Sequence, residues 1–309
     1  MKTIAITGSE GLIGRAMVSG LQSLGYRLRR FDLCLTVGHP GRGNVLDGDA
    51  VARLVADCDG VIHLAAVSRV VWGERDPDLC WSTNVDGLRH VLDAARRQPR
   101  KPWVIFASSR EVYGQPSVLP ANEETPLQPV NIYGRSKAMG ERLMEAARLD
   151  GIQSSVIRLS NVYGSTADHA DRVVPAFARA AVLGHSLRVD GADHTFDFTH
   201  ITDVAQGIIA LVDCLKDGQS APPPIHFLTG EPTTLGQLAQ IAIEAAASGA
   251  TAEHAPPRSF DVARFFGTPA RAKELLGWSA RVPLRIGLTQ LIHDFRRELG
   301  AELEVGYAP

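Results

Sequence analysis

The sequence predicts an α/β protein: a doubly wound parallel sheet with a smaller C-terminal α/β domain beside it. Three observations carry this. Short β-branched runs alternate with amphipathic helical segments from residue 2 to about 165, and parallel strands need such crossovers. A glycine-rich turn joins the first strand to the first helix. The alternation loosens after about Gly164, which marks the second unit. At 309 residues the chain is long enough for one large or two modest domains.

The elements follow in order. Lys2–Thr7 is a short apolar run that predicts a buried strand. Leu12–Leu24 has helical periodicity and stops at Gly25, a residue suited to the left-handed position after a helix. Tyr26–Asp32 predicts the second strand, and a Gly-rich loop over 38–43 follows it. Asp47 is a good N-cap for a helix through Ala56. Gly60–Ala66 predicts the third strand, and a helix beginning at Ser82 or Thr83 runs to about Arg97. Pro102–Ala107 predicts the fourth strand, proline-free Tyr133–Leu149 a long helix, and Ser154–Leu159 the fifth strand. Beyond these, Val173–Leu183 and Asp203–Leu215 read as helices, with Leu187–Val189 a short strand between them. The run Pro222-Pro223-Pro224 breaks the second of these helices before a strand at Ile225–Leu228. Leu235–Ala247, Pro269–Leu276 and Ile286–Leu299 complete the helices. The main domain is expected to span 1–165 plus about 196–228, and the smaller one about 166–195 and 229–309.

Composition excludes several classes. Hydrophobic residues make up 45% and charged residues 21%, which is globular rather than disordered. A formal net charge of −2 leaves no electrostatic footprint for nucleic acid or an acidic membrane face. Cys34, Cys58, Cys80 and Cys214 form no C-x-x-C pair, so they are expected as buried free thiols rather than metal ligands or disulfides. No window of 18 apolar residues exists. The apolar stretch before Gly8 is too short for a signal peptide, and a cytoplasmic location is expected.

Gly8-Ser9-Glu10-Gly11-Leu12-Ile13-Gly14 follows the first strand and opens the first helix. Gly8, Gly11 and Gly14 allow a tight turn, close approach of a pyrophosphate and close helix packing. The helix N–H groups and dipole favour the phosphates. The fold is therefore expected to be Rossmann-type, with Leu12 and Ile13 against the dinucleotide. Asp32, at the end of the second strand, suits the two ribose hydroxyls and repels a 2′-phosphate, so NAD is expected over NADP. Arg29 and Arg30 stand nearby and read as a solvated strand edge.

Tyr133 and Lys137 stand four residues apart on a predicted helix and so share a face. A lysine cation beside the phenol is expected to lower its pKa. A tyrosine so tuned exchanges a proton with a sugar hydroxyl near neutral pH.

With the glycine turn upstream, the chain resembles the extended short-chain dehydrogenase/reductase family, the NAD-dependent epimerase/dehydratase group. Further motifs carry the likeness over nearly the whole chain: His63-Leu64-Ala65-Ala66, Asn84-Val85-Asp86-Gly87 and the run Ala107–Gly114. Arg158–Gly164, Asp197–Asp203 and Glu274–Trp278 continue it. The resemblance implies a catalytic set of Ser109, Tyr133 and Lys137, with Ser108 a neighbour able to share the serine role. It implies cofactor contacts from Leu64, Ala65, Ala66, Asn84, Ser108, Ser160, Tyr133 and Lys137. Asn44 and Val45 match an Asp-hydrophobic pair that reads adenine, and the Asn44 oxygen can still accept the adenine amino hydrogen. Ser68, Ser109, Glu111, Asn161 and Arg258 are implied at the substrate. His63 and His200 are expected to pack and hydrogen-bond.

Two departures from the family pattern matter. Relatives that act on nucleotide sugars carry an Arg before the Asp-Phe at 197–198, where it holds the diphosphate; here the residue is Phe196. A second diphosphate arginine is retained as Arg258, with Asp261. Dehydratases place an Asp-Glu pair after the Ser/Thr, whereas this chain has Arg110-Glu111, and Arg donates no such proton. The resemblance then implies a nucleotide-sugar C4-epimerase working through a transient 4-keto intermediate. The rival readings are a dehydrogenase, reductase or decarboxylase of a sugar or sugar acid, and a non-catalytic NAD-binding scaffold. The expected partners are the sugar or nucleotide sugar and a second copy of the chain. Helices near 85–97 and 133–149 would pair in that homodimer.

Overall fold

The computed structural model describes residues 2–257 and 262–305. Its elements run β1 (Thr3–Thr7), α1 (Leu12–Ser23), β2 (Arg27–Phe31), α2 (Gly48–Val55), β3 (Gly60–His63), α3 (Val70–Arg75), α4 (Pro77–Trp81), α5 (Gly87–Arg96) and β4 (Trp103–Ser109). They continue with α6 (Ile132–Leu149), β5 (Ser154–Leu159), β6 (Asn161–Tyr163), α7 (Val173–Val182), β7 (Leu187–Asp190), β8 (Thr195–His200), α8 (Ile201–Lys216) and β9 (Ile225–Phe227). The last are β10 (Pro232–Thr234), α9 (Leu235–Ala246), β11 (Ala252–Ala255), α10 (Ala270–Leu276) and α11 (Leu284–Val305).

Six parallel strands form the main sheet in the order β2-β1-β3-β4-β5-β9. Strand residues alternate between two cores. Ile4, Ile6, Ile62, Ile105 and Ile157 face the side covered by α1 and α8, where Met17, Leu21, Ile208 and Leu211 pack on them. Ala5, Val61, Val104, Phe106 and Val156 face α2, α5 and α6. Burial on both faces is why these strands read as continuous apolar runs. Two small sheets, β10-β8-β6 and β11-β7, make up the second unit, so β6 and β8, expected in the main domain, pair instead with β10 and pack in the second core. That separate core, including Phe177, Leu238, Leu288 and Ile292, lies among α7, α9 and α11.

Several elements differ from expectation. The third strand ends at His63 rather than Ala66, which frees Leu64–Ala66 to line the mouth of the sheet. The segment before α5 is already helical: Asp76 caps Pro77 by accepting from Leu79 N, and a π turn over 82–86 leads into α5. Asn131, not a residue inside the helix, starts α6 by accepting from Gly134 N at 2.7 Å. The fourth strand extends through Ser109. Strand β8 was not anticipated, because Asp197, Thr199 and His200 are polar and yet buried. Asp197 accounts for this. Its carboxylate accepts from Thr229 N, Thr229 Oγ1, Gly230 N and Thr199 Oγ1, tying β8 to the loop after β9. Cys58 and Cys80 are buried free thiols as expected, but Cys34 is exposed and Cys214 half-buried, both at loop-facing positions. Among the described residues, no helix is long and apolar enough to cross a membrane.

Candidate active site

A cleft of about 780 Å³ opens at the C-terminal edge of the main sheet and runs under the second unit. This is where open parallel sheets hold ligands. Gly8 (φ 70°) forms its floor, and a Cβ there would come 2.7 Å from Ala65 N. At Gly14 a Cβ would come 2.0 Å from Gly8 O, so α1 could not pack against the turn. Gly11 starts α1 and leaves its N-terminus facing the cleft.

Beyond the turn, Asp32 lies in the wall. Its carboxylate accepts from Glu10 N at 2.9 Å and Cys34 N at 2.8 Å, which fixes its orientation and leaves lone pairs for two ribose hydroxyls. Neither neighbouring arginine is a free strand edge. Arg29 donates to Leu54 O and Ala56 O at the end of α2, and Arg30 pairs with Glu10. Asn44 Oδ1 accepts from Leu46 N at 3.0 Å, and Val45 is a buried apolar wall beside it. Leu12, Ile13, Leu64, Ala65 and Ala66 also line the cleft. An anion-ready turn, an oriented acid and an apolar wall in one elongated cleft fit a dinucleotide.

Asn84 is placed differently from expectation. It is buried behind the wall, where it bonds both Val67 N and Val67 O and donates to Ser136 Oγ. Its part is to hold the Val67 loop, and Thr83 lines the cleft instead. Ser160 lines the cleft, but its hydroxyl donates to Asp197 O at 2.7 Å. Asn161, Ser68 and Glu111 all lie in the lining of the substrate end. Arg258 and Asp261 lie outside the described residues.

The adjacent serines separate cleanly. Ser108 Oγ donates to Glu141, while Ser109 Oγ accepts from Glu111 N at 3.2 Å and favours the ionised form of the Tyr133 phenol. Tyr133 is buried, and so is Lys137. Lys137 Nζ donates to Ala107 O at 2.8 Å and sits 5.8 Å from the Tyr133 ring centre.

The expected lowering of the Tyr133 pKa is not what the protein provides. Burial pushes the phenol up to about 12, against the smaller pull of Ser109 and of the Arg172 charge. Lys137 is itself pushed down to about 8 by burial. The reason is that a low-dielectric site penalises both charged forms more than the pair repays. Lys137 therefore costs stability while it is charged. Its folded value lies below its unfolded one, so the unfolded state binds more protons between about pH 8 and 10.5. The penalty is full below 8 and is relieved as pH rises through that window. Chemical denaturation of Lys137→Met against the parent chain should show a difference in stability that shifts in the parent's favour from pH 7 to pH 10. A difference that stays flat would refute a charged, buried Lys137.

Glu111 is anchored at both oxygens. Arg110 pairs with Oε1 at 3.0 Å, and Asn131 Nδ2 donates to Oε2 at 2.7 Å. Because Asn131 also caps α6, Glu111 supports the helix turn that carries Tyr133. Phe196 lies in the cleft wall where relatives' arginine was expected, with the Arg110 guanidinium stacked 4.5 Å over its ring. His63 is buried, meets Thr7 Oγ1 at 2.8 Å and is held neutral, pushed down to about 3 by burial and the Lys137 charge. His200 meets Thr202 Oγ1 at the start of α8. Both therefore pack and hydrogen-bond.

Three residues outside the expected site set contribute. Arg172, which starts α7, brings its charge to bear on Tyr133 and donates to Ser68 Oγ. Asp168 is buried beside it, 3.5 Å from Arg172 Nε. Glu141 forms a buried pair with Arg158 behind Ser108. Only the last had a signal, the spacing of Glu141 four residues beyond Lys137.

Fold and site together define a dinucleotide-dependent enzyme. The chain belongs to the NAD dependent epimerase/dehydratase family, which matches residues 4–224, and the cofactor of that family is NAD. It is 29% identical over 325 residues to UDP-glucuronic acid decarboxylase 1 of Danio rerio, covering 100% of this chain and 76% of that one. It is 29% identical to UDP-glucose 4-epimerase of Mycolicibacterium smegmatis, covering 96% and 99%. A solved UDP-glucose 4-epimerase from Thermotoga maritima, with UDP-glucose, superposes with a TM-score of 0.89 at 26% identity, covering 96% and 99%.

Proposed function

We propose that the chain is an NAD-dependent nucleotide-sugar C4-epimerase. The observation that carries this is the buried Ser109–Tyr133–Lys137 set at the junction of the cofactor and substrate halves of the cleft. Relatives named for UDP-sugar chemistry at similar identity support the substrate class. Bound NAD supplies the hydride acceptor and donor. Tyr133 takes the proton of the C4 hydroxyl and later returns it. Ser109 donates to the oxygen as charge builds there. Lys137 and Arg172 supply the positive field that an ionised Tyr133 needs, and burial keeps water from the keto sugar. Glu111, tied at both oxygens, supports α6 rather than acting as a free base.

The test is turnover of UDP-glucose and of UDP-glucuronic acid with NAD, followed by proton NMR. The C4 epimer should form without net NADH. Stoichiometric NADH would make the chain a one-way dehydrogenase, and release of CO₂ from the uronate would make it a decarboxylase.

We further propose a homodimer through α5 and α6. The outer faces there expose Arg89, Asp93, Arg142 and Glu145, so the contact must be polar. Sedimentation as a monomer at micromolar concentration would refute it.

A further inference from the structure

We propose that Arg110 is a specificity-determining residue that binds a carboxylate on the sugar, so that the preferred substrate is a nucleotide-linked uronic acid; the nucleotide part of this rests on the function proposed above, and the carboxylate part does not.

Chain position gives the first argument. Arg110 directly follows Ser109, and both line the cleft. In a pyranose, C5 adjoins C4 and carries C6. Arg110 therefore lies at the sugar end of the cleft, within reach of the groups on the carbons next to C4.

Its surroundings give the second. The side chain is 12% exposed. Its guanidinium lies over the Phe196 ring at 4.5 Å and near Phe265 at 5.9 Å, which holds the plane in one orientation. Among the described residues Glu111 is its one ionic partner, and Nη1, itself buried, has no hydrogen-bond partner. An arginine presents five donors in a rigid fork, and a buried charge left partly unbonded is costly. A carboxylate completes the fork, whereas a hydroxymethyl group does not.

The other cations of the cleft have partners of their own, Arg188 with Asp190 among them. Arg69 holds the carboxylate and the backbone carbonyl of Asp171. Lys137 donates to Ala107 O. Arg172 stands between Asp168 and Ser68, although its Nε also lacks a hydrogen bond. Arg172 is therefore the control.

The experiment is calorimetric titration of the NAD-loaded protein with UDP-glucuronic acid, UDP-glucose and free glucuronate. UDP-glucuronic acid should bind about 10²-fold tighter than UDP-glucose, the order expected when hydrogen bonds to a charged group are lost. Arg110→Met should bring the two to within a few-fold of each other, with NAD binding unchanged, and Arg110→Lys should fall between. Equal affinities in the parent chain would overturn the proposal, and that comparison stands even if Arg110→Met does not fold. Loss of the preference in Arg172→Met and not in Arg110→Met would also overturn it. Arg110-dependent binding of free glucuronate with neither UDP-sugar bound would keep the carboxylate site and end the nucleotide-sugar reading. C4 turnover of UDP-glucose with no preference for the uronate would do the reverse.

Discussion

Tyr133→Phe lowers kcat by about 10³-fold, within the range for loss of a positioned acid–base group, and leaves NAD bound. The substitution removes one oxygen from a side chain that is 9% exposed, so the packing around it survives. What disappears is the proton acceptor, whose ionised form Ser109 favours. Single-turnover kinetics with UDP-sugar and cofactor titration by fluorescence check both halves. Activity near that of the parent chain would remove Tyr133 from the proton path. The pKa of about 12 that burial imposes makes this a demanding site: the phenol ionises readily only if positive charge gathers around it. Arg172 already contributes to that charge from the start of α7.

Glu141→Ala destabilises the protein by about 3–5 kcal/mol, the usual cost of breaking one side of a buried ion pair. Arg158 and Glu141 have side chains only 5% and 7% exposed, and Arg158 Nη2 meets Oε2 at 2.7 Å. Arg158 also donates to Tyr113 Oη and Glu123 O, so it stays buried when Glu141 is removed. The melting temperature should fall by on the order of 10 °C in differential scanning calorimetry. The double replacement Arg158→Met with Glu141→Leu should recover much of the loss, because an apolar pair carries no unpaired charge. A fall of a degree or less in the single variant would show that water reaches the pair. Since Ser108 also donates to Glu141, the single variant frees the Ser108 hydroxyl beside Ser109.

The parts of the fold written in local sequence were legible. The glycine turn, Asp32 and the Tyr133–Lys137 spacing each state their chemistry within a few residues. The six-stranded sheet followed from strand–helix alternation, because its strands are apolar on both faces. What stayed hidden depended on distant partners. Strand β8 looks too polar to be buried until Thr229 and Gly230 arrive to satisfy Asp197. Phe196 reads as a lost cation until Arg110, far away in the chain, stacks on it. Ser108 and Ser109 are equivalent in sequence and are separated only by Glu141 on α6. The Tyr133 pKa was misjudged for a related reason: spacing reports which groups share a face, but not how much water remains around them.

Strand β9 closes the edge of the main sheet against β5, yet it is made only after the chain has passed through β6, α7, β7 and β8. A growing chain that has just finished β5 therefore carries a parallel sheet with a bare edge, the kind of surface that pairs with strangers. The sheet gains its edge strand before α9 and α11 are made, but only after β6, α7, β7 and β8 have left the second unit half-built. A fragment cut near residue 165 would lack the strand that covers β5. Evolution cannot exchange the substrate-facing unit as a cassette at a single junction either. It must vary that unit in place, residue by residue, around a cofactor sheet that depends on the same stretch of chain for its completion.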